Sequence, residues 1–250
     1  MRVIKSQNEI EIIKETTKWG ARAHELLQKY VEVGRYDFEV SSRASLEASL
    51  EMKKALGREF RGSGASVFLA YAGIRGQVGE NSAFPHAMSI EREIRKGDII
   101  VTGASADVEG YHSEIERNLF VGEPEERVKR YHKIALEMQQ AAFNALKPGA
   151  KCSDADRAAY NVAKKKKKNG VTQALRHHSG HGLGLEAHEA PFLDIGDETV
   201  LLPGMVLSVE PGIYFLGLGG FRHSDTVVIT EHGAEWLTNY PKETEDLIIR

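Results

Sequence analysis

The residues best suited to chemistry are histidines and carboxylates that occur in two parts of the chain. The densest group is the segment 177–191, HHSGHGLGLEAHEAP, in which His181 is flanked by glycines. Glu114, Glu116 and Glu210 stand in short apolar or glycine-containing stretches. Histidines that converge with carboxylates bind metals or transfer protons. The grouping therefore predicts a metal site or an acid–base site, whereas a single histidine would more often be structural.

Glu114 and Glu116 are separated by one residue, Ile115. Successive side chains of a β-strand point to opposite faces, so residues two apart share a face. On a strand, both carboxylates would therefore point to one side of the sheet. A solvated sheet face is the simpler explanation of such a pair, but the histidines of segment 177–191 favour a shared site.

Helices and short strands must position these residues. Hydrophobic periodicity and capping residues predict four helices, which cover about 7–29, 39–56, 123–147 and 153–168. Short β-branched or alternating stretches bounded by glycine predict strands over 67–71, 98–106, 111–121, 205–209 and 221–230. The helices come in pairs around hairpin-like strands, which favours an α+β fold with a largely antiparallel sheet. No linker rich in proline, glycine and serine divides the chain, so we expect one domain over 1–250.

Composition argues against several classes of protein. The chain has 33 Lys and Arg against 36 Asp and Glu, a formal net charge of -3, so a strongly basic nucleic-acid-binding face is not expected. Five lysines at 164–168 suit a solvated helix end, with an anion contact as the alternative. The single cysteine, Cys152, cannot form an internal disulfide, and no apolar run approaches the ~20 residues of a membrane span. We therefore expect a cytoplasmic protein that binds neither nucleic acid nor a membrane.

Six segments of the sequence resemble, in order, the motifs of the pita-bread fold family that includes methionine aminopeptidase, Xaa-Pro aminopeptidase, prolidase and creatinase. They are NSAFPH at 81–86, KGDII at 96–100, GYHSEIER at 110–117, SGHGLGLEAHEAP at 179–191, LPGMVLSVEPGIY at 202–214 and GFRHSDT at 220–226. The resemblance implies a hydrolase with a curved, mostly antiparallel sheet and two pairs of helices, and by analogy a homodimer. The motifs are most similar to the creatinase and Xaa-Pro peptidase branch, without the N-terminal domain that its members carry.

In the peptidases of this family, two aspartates, a histidine and two glutamates hold two divalent metal ions. The matching positions in this chain are Gly103, Glu114, His181, Glu210 and Ser224. Glycine has no side chain to offer, and a neutral serine is a poor ligand for a hard divalent ion. The resemblance therefore implies no dinuclear centre, although Glu114, His181 and Glu210 could hold a single Mn, Co, Fe or Zn ion.

Creatinase shares the fold but hydrolyses a guanidino C–N bond without metal. Its motifs match this chain at His86, Glu116, His181, His188 and Glu210. The resemblance implies catalytic roles for His86, Glu116, His188 and Glu210, and substrate-binding roles for His181, Glu114 and Arg222. Paired carboxylates could hold a cationic amidine, and a histidine could move a proton from water to the leaving nitrogen.

Three hypotheses follow. The leading one is an Xaa-Pro peptidase-related hydrolase of C–N bonds in small amide, amidino or peptide-like substrates, with a creatinase-like His/Glu acid–base site. The first alternative is a single-metal Xaa-Pro dipeptidase or aminopeptidase. The second is a catalytically silent domain that binds peptide or protein. The expected partner in the first two is a small molecule or a dipeptide.

Overall fold

The computed structural model describes residues 2–57, 61–64, 66–88, 91–166 and 171–250. Within these residues the α-helices are α1 (Gln7–Tyr30), α2 (Asp37–Leu56), α3 (Glu126–Ala145) and α4 (Cys152–Lys165). All four predicted helices are confirmed, and they pack as two pairs, α1 against α2 and α3 against α4. None of the described helices is long and apolar enough to cross a membrane.

Capping residues define the helix ends. At the start of α1, the Glu9 N–H donates to Ser6 Oγ and the Ser6 N–H donates to the Glu9 carboxylate, which is the predicted capping box. The predicted start of α4 at Ser153 is wrong by one residue. The Ser153 hydroxyl donates to Glu198 instead, and the N–H of Lys151 donates to Asp154. Residues 167–168, where this helix was predicted to end, lie outside the described residues.

Most strands join one mainly antiparallel sheet of nine strands, in the order β1-β2-β3-β9-β6-β4-β5, with β10 paired to β9 and β11 parallel to β3. Strands β7 and β8 form a separate pair. The strands are β1 (Ala70–Gly73), β2 (Ile99–Ala106), β3 (Ile115–Val121), β4 (His181–Gly182), β5 (Glu189–Phe192), β6 (Val206–Val209), β7 (Gly212–Phe215), β8 (Gly219–Arg222), β9 (Ser224–Thr230), β10 (Gly233–Trp236) and β11 (Ile248–Ile249).

The strands predicted over 98–106 and 205–209 are β2 and β6, which each begin one residue later, and the other three predicted strands differ more. The strand predicted over 67–71 is β1, because pairing with β2 begins only at Ala70. The strand predicted over 111–121 begins at Ile115, since Tyr111 instead pairs with Val108 across a turn and residues 112–114 are irregular. The strand predicted over 221–230 is divided at His223, where the chain passes from the β7–β8 pair into the main sheet.

The core lies between the helix pairs and the sheet. Buried side chains such as Leu27 of α1, Ile100 of β2 and Leu207 of β6 belong to one continuous apolar cluster. The buried face of the sheet also carries charge, because Arg117 of β3 and Asp225 of β9 form a fully buried ion pair at 2.7 Å. These central strands support the residues described next.

Candidate functional site

Five neighbouring strands bring the predicted site residues together. Glu116 on β3 lies opposite Gly103 of β2 and opposite Ser224 of β9. Glu114 immediately precedes β3, His181 is on β4, and Glu210 follows β6. Ligand atoms of Glu114, Glu116 and Glu210 lie within 4.8 Å of one another, as do those of Glu114, His181 and His188. The expectation that Glu114 and Glu116 point to the same side of the sheet is therefore met.

His181 is the centre of the site and is almost fully buried. Its Nδ1 lies 3.0 Å from the Gly182 carbonyl oxygen, so Nδ1 carries the proton and donates it there. Its Nε2 lies 3.0 Å from Glu210 Oε1 and 3.4 Å from Glu114 Oε2, but it aligns with no acceptor among the described residues. A buried imidazole nitrogen that faces two carboxylates matches the ligands that a divalent metal ion prefers, so this group could hold one.

The protonation of His181, Glu114 and Glu210 is interdependent, because the charges of neighbours within this group shift the pKa of each residue. Burial works against the charged form of His181, but its contacts with Glu114 and Glu210 outweigh burial and raise its pKa to about 11. Burial and the neighbouring charge of Glu114 raise the pKa of Glu210 to about 7. For Glu114, burial is outweighed by its contact with His181, so its pKa falls to about 2. His181 Nε2 would have to lose its proton before it could bind a metal ion, so metal binding at this group would release a proton.

The hydrogen bonds around His181 and Glu114 fix their orientation. The Ser208 hydroxyl accepts the backbone N–H of His181 at 3.0 Å, and the Ser224 hydroxyl donates to Glu114 Oε1 at 2.5 Å. Gly180 allows this part of the chain to approach β6, because a Cβ there would lie 2.1 Å from the Ser208 carbonyl oxygen and its φ is +155°. Gly180 thus allows the backbone that precedes His181 to pack closely against β6.

Glu116 is held by two arginines. Arg222, fully buried, places Nη2 2.7 Å from Glu116 Oε1 and its Nε against Oε2. The Nη2 of Arg75 also donates a hydrogen bond to Glu116 Oε1, at 2.9 Å. Its guanidinium lies over Gly103, where a Cβ would be only 3.1 Å from Nη2. Gly103, one of the two positions that lack a family ligand, therefore faces a cation.

His86 and His188 lie at the open side of the site, and both are exposed. The His188 ring packs against that of His181, with centroids 4.1 Å apart and ring planes tilted by 33°. The backbone before His86 is anchored, because Arg222 Nη1 and Gln77 Nε2 both donate to the Pro85 carbonyl oxygen. Burial on one side and the charge of Arg222 lower the pKa of His86 below its usual value.

Arg75, Ser208 and Tyr214 contribute to the site but were not predicted from the sequence. Tyr214 accepts from Arg222 at 3.1 Å and contacts His177 Nε2 at 2.8 Å. Arg75 was detectable only indirectly, because the glycine at position 103 leaves space beside Glu116 that a side chain from a neighbouring segment can occupy. A cavity of about 750 Å³ near Trp19 and Trp236 is lined by none of the predicted site residues.

Comparison with known proteins gives a consistent result. The model of metallopeptidase family M24 matches residues 11–231. The Xaa-Pro dipeptidase of Pyrococcus furiosus is 36% identical over 243 residues, which cover 97% of this chain and 65% of that protein. A probable dipeptidase PepE of Mycobacterium tuberculosis is 32% identical, with 97% of this chain and 60% of that protein covered.

Solved structures agree. An Xaa-Pro dipeptidase from Bacillus anthracis superposes with a TM-score of 0.86 at 34% identity, covering 99% of this chain and 64% of that one. An X-Pro aminopeptidase from Thermotoga maritima gives a TM-score of 0.87 at 30% identity, covering 100% and 65%. The chain thus spans somewhat less than two thirds of the length of these relatives. The predicted fold, a curved antiparallel sheet with two helix pairs, is confirmed.

Proposed function

The chain belongs to metallopeptidase family M24, and from that premise we propose that it is a hydrolase of the Xaa-Pro dipeptidase kind, which cleaves a C–N bond in a dipeptide-like substrate with one divalent metal ion. The observation that carries this proposal is the position of His181. Its Nδ1 donates to the Gly182 carbonyl oxygen. Its buried Nε2 faces Glu114 and Glu210 but makes no well-aligned hydrogen bond within the described residues. Because Glu114 and Glu210 each place an oxygen within 3.4 Å of this nitrogen, we assign these three side chains to one ion of Mn, Co, Fe or Zn.

We infer that the site does not accept a second ion. Gly103 offers no ligand, and Ser224 uses its hydroxyl proton to hold Glu114. Glu116, the remaining carboxylate, contacts two guanidinium groups. A second divalent ion would have to displace the Arg75 guanidinium and would meet too few anionic ligands.

The roles proposed for the residues follow from their surroundings. An ion held by Glu114, His181 and Glu210 would polarise the scissile carbonyl group and acidify a water molecule. His86 lies at the open side with its pKa lowered, so its neutral ring could accept a proton from water and return it to the leaving nitrogen. Arg222 is buried against Glu116 and the Pro85 backbone, so we assign it to positioning both, and not to direct substrate contact.

A second candidate is a metal-free hydrolase of amidine or guanidine C–N bonds. One observation favours it: His181, when protonated, would balance the charge of Glu114 without an ion, while the raised pKa of Glu210 lets that residue keep its proton. We rank it second because both oxygens of Glu116 already contact arginines, which leaves that carboxylate unavailable to a cationic substrate.

The test is a hydrolysis assay on chelator-treated protein, with Gly-Pro, a linear guanidine and a cyclic amidine as substrates. The proposal predicts that Gly-Pro is cleaved only after Mn, Co, Fe or Zn is restored. His181→Gln should abolish this activity, while His232→Gln, an exposed histidine outside the site, should retain it. Cleavage of an amidine that persists after chelation would favour the second candidate. Absence of turnover for every substrate would contradict both and favour a binding domain.

A further inference from the structure

Arg75 brings a second positive charge to a carboxylate that is already neutralised. Arg222 contacts both oxygens of Glu116 from inside the protein, an arrangement that balances the carboxylate charge by itself. Arg75 contacts only Oε1, through Nη2, and that is its one hydrogen bond within the described part of the chain. Stabilisation of Glu116 therefore does not account for Arg75.

The local structure is arranged to place this guanidinium at the site. Arg75 has a φ of +55°, a left-handed conformation that costs a non-glycine residue of the order of 1 kcal/mol or more. The turn is fixed on α2, because the Gly76 N–H donates to Asp37 Oδ2 at 3.0 Å. Opposite it, Gly103 lacks the Cβ that would crowd the guanidinium. The left-handed backbone of Arg75 and the missing Cβ of Gly103 thus both help to place the Arg75 side chain beside Glu116.

The rest of the guanidinium faces outward. The Arg75 side chain is 43% exposed, whereas Glu116 beside it is 5% exposed. Arg75 also lines a cleft of about 240 Å³ whose walls include the rings of Phe38, Phe68 and Tyr71, together with three serines and Asp37. The Asp37 carboxylate is engaged, since it accepts the backbone N–H groups of Gly76 and Arg92. Most of the guanidinium N–H donors have no acceptor among the described residues, and they lie between buried carboxylates and a cleft with three aromatic rings in its wall. This arrangement matches a small organic anion that carries an apolar ring.

We propose that Arg75 binds the carboxylate group of the substrate and thereby sets the specificity of the site for molecules with a free carboxylate next to an apolar ring. The proposal rests on the proposed function for the nature of that molecule, a dipeptide whose C-terminal residue is proline. Arg75 would hold the end of the substrate that does not react, while Glu114, His181 and Glu210 serve the bond to be cleaved.

The test measures binding and needs no turnover. Titration calorimetry compares L-proline, which has the carboxylate, with L-prolinamide, which lacks it. The wild-type chain should bind L-proline at least tenfold more tightly. Arg75→Gln should weaken L-proline binding by about 10- to 100-fold, the value of a charge-assisted hydrogen-bonded pair, and leave L-prolinamide unchanged. Gly103→Val keeps the charge of Arg75 but fills the space under its guanidinium. It should therefore also weaken the binding of L-proline and leave that of L-prolinamide unchanged.

Matched controls make the outcome decisive. Arg95→Gln removes a guanidinium that is 75% exposed and lies outside the site, and it should bind both compounds like the wild type. Thermal melting of each variant verifies the fold. Equal weakening of both compounds by Arg75→Gln, or a wild-type chain that does not prefer L-proline, would overturn the proposal. If Gly-Pro is not cleaved but the preference for L-proline depends on Arg75, the proposed function fails and this inference stands.

Discussion

Acidification to pH 5 should destabilise the protein strongly through histidines buried behind the site. His24 on α1 and His132 on α3 are both fully inaccessible to solvent. Burial, aided by the charge of Arg117, lowers the pKa of His24 to about 3 and that of His132 to about 4. His24 Nε2 contacts the Thr102 hydroxyl, and its Nδ1 has no partner within the described residues. A proton added at Nδ1 would therefore be a buried, unpaired charge.

The sign and size of the effect follow from linkage. In the unfolded chain a histidine titrates near pH 6.5, so between pH 6.5 and about 4 the unfolded state binds more protons than the folded state. Stability is complete above this window and falls as the pH decreases through it. At pH 5 each histidine should cost about 2 kcal/mol, so the two together cost about 4 kcal/mol. That is a large fraction of the roughly 5–15 kcal/mol that stabilises a typical protein.

Urea unfolding at pH 7.5, 6.5, 5.5 and 5.0 measures this loss. His24→Gln and His132→Gln cannot acquire the proton, so each variant should lose about 2 kcal/mol less than the wild type between pH 7.5 and 5.0. Comparison of each variant with the wild type at the same pH cancels the contribution of the carboxylates, which titrate in both proteins. His232→Gln, at an exposed position, should follow the wild type. If both core variants lose as much stability as the wild type, the reasoning is refuted.

Three further perturbations test the framework and the chemistry. Asp225→Asn leaves the buried Arg117 guanidinium without its ion pair and should cost about 3–5 kcal/mol in urea unfolding, and a loss below about 1 kcal/mol would contradict this. Gly180→Ala places a methyl group 2.1 Å from the Ser208 carbonyl oxygen and should lower both the melting temperature and metal affinity; an unchanged melting temperature would show that the strands can separate freely. His86→Gln should reduce kcat for Gly-Pro by about 100-fold or more with little change in KM, and an equal kcat would remove His86 from the mechanism.

The helices and most of the site could be predicted because their signals are local. The capping box at Ser6 and the glycine at Gly57 mark helix ends in the sequence itself, and both are observed. Glu114 and Glu116 were placed on one face from their spacing alone. The two-residue strand β4, by contrast, has too few residues to show a period, and the division at His223 depends on which strand each half pairs with.

The role of Arg75 could not be predicted for a different reason. Its position depends on a turn anchored by Asp37, on the missing Cβ at Gly103 and on the charge of Glu116, which come from three separate parts of the chain. The sequence shows only that a ligand is absent at Gly103. Which group fills the space is decided by tertiary packing, as is the burial of Arg222 against the same carboxylate.

In the proposed function, Glu114, His181 and Glu210 hold one divalent ion and the site has no place for a second. The most direct test of this proposal is the metal content of active protein purified without chelator, measured by elemental analysis together with Gly-Pro hydrolysis. We expect one equivalent of Mn, Co, Fe or Zn per chain, activity proportional to metal content, and no bound metal in His181→Gln. Two equivalents per chain in active protein, or full activity in protein that contains none, would contradict it.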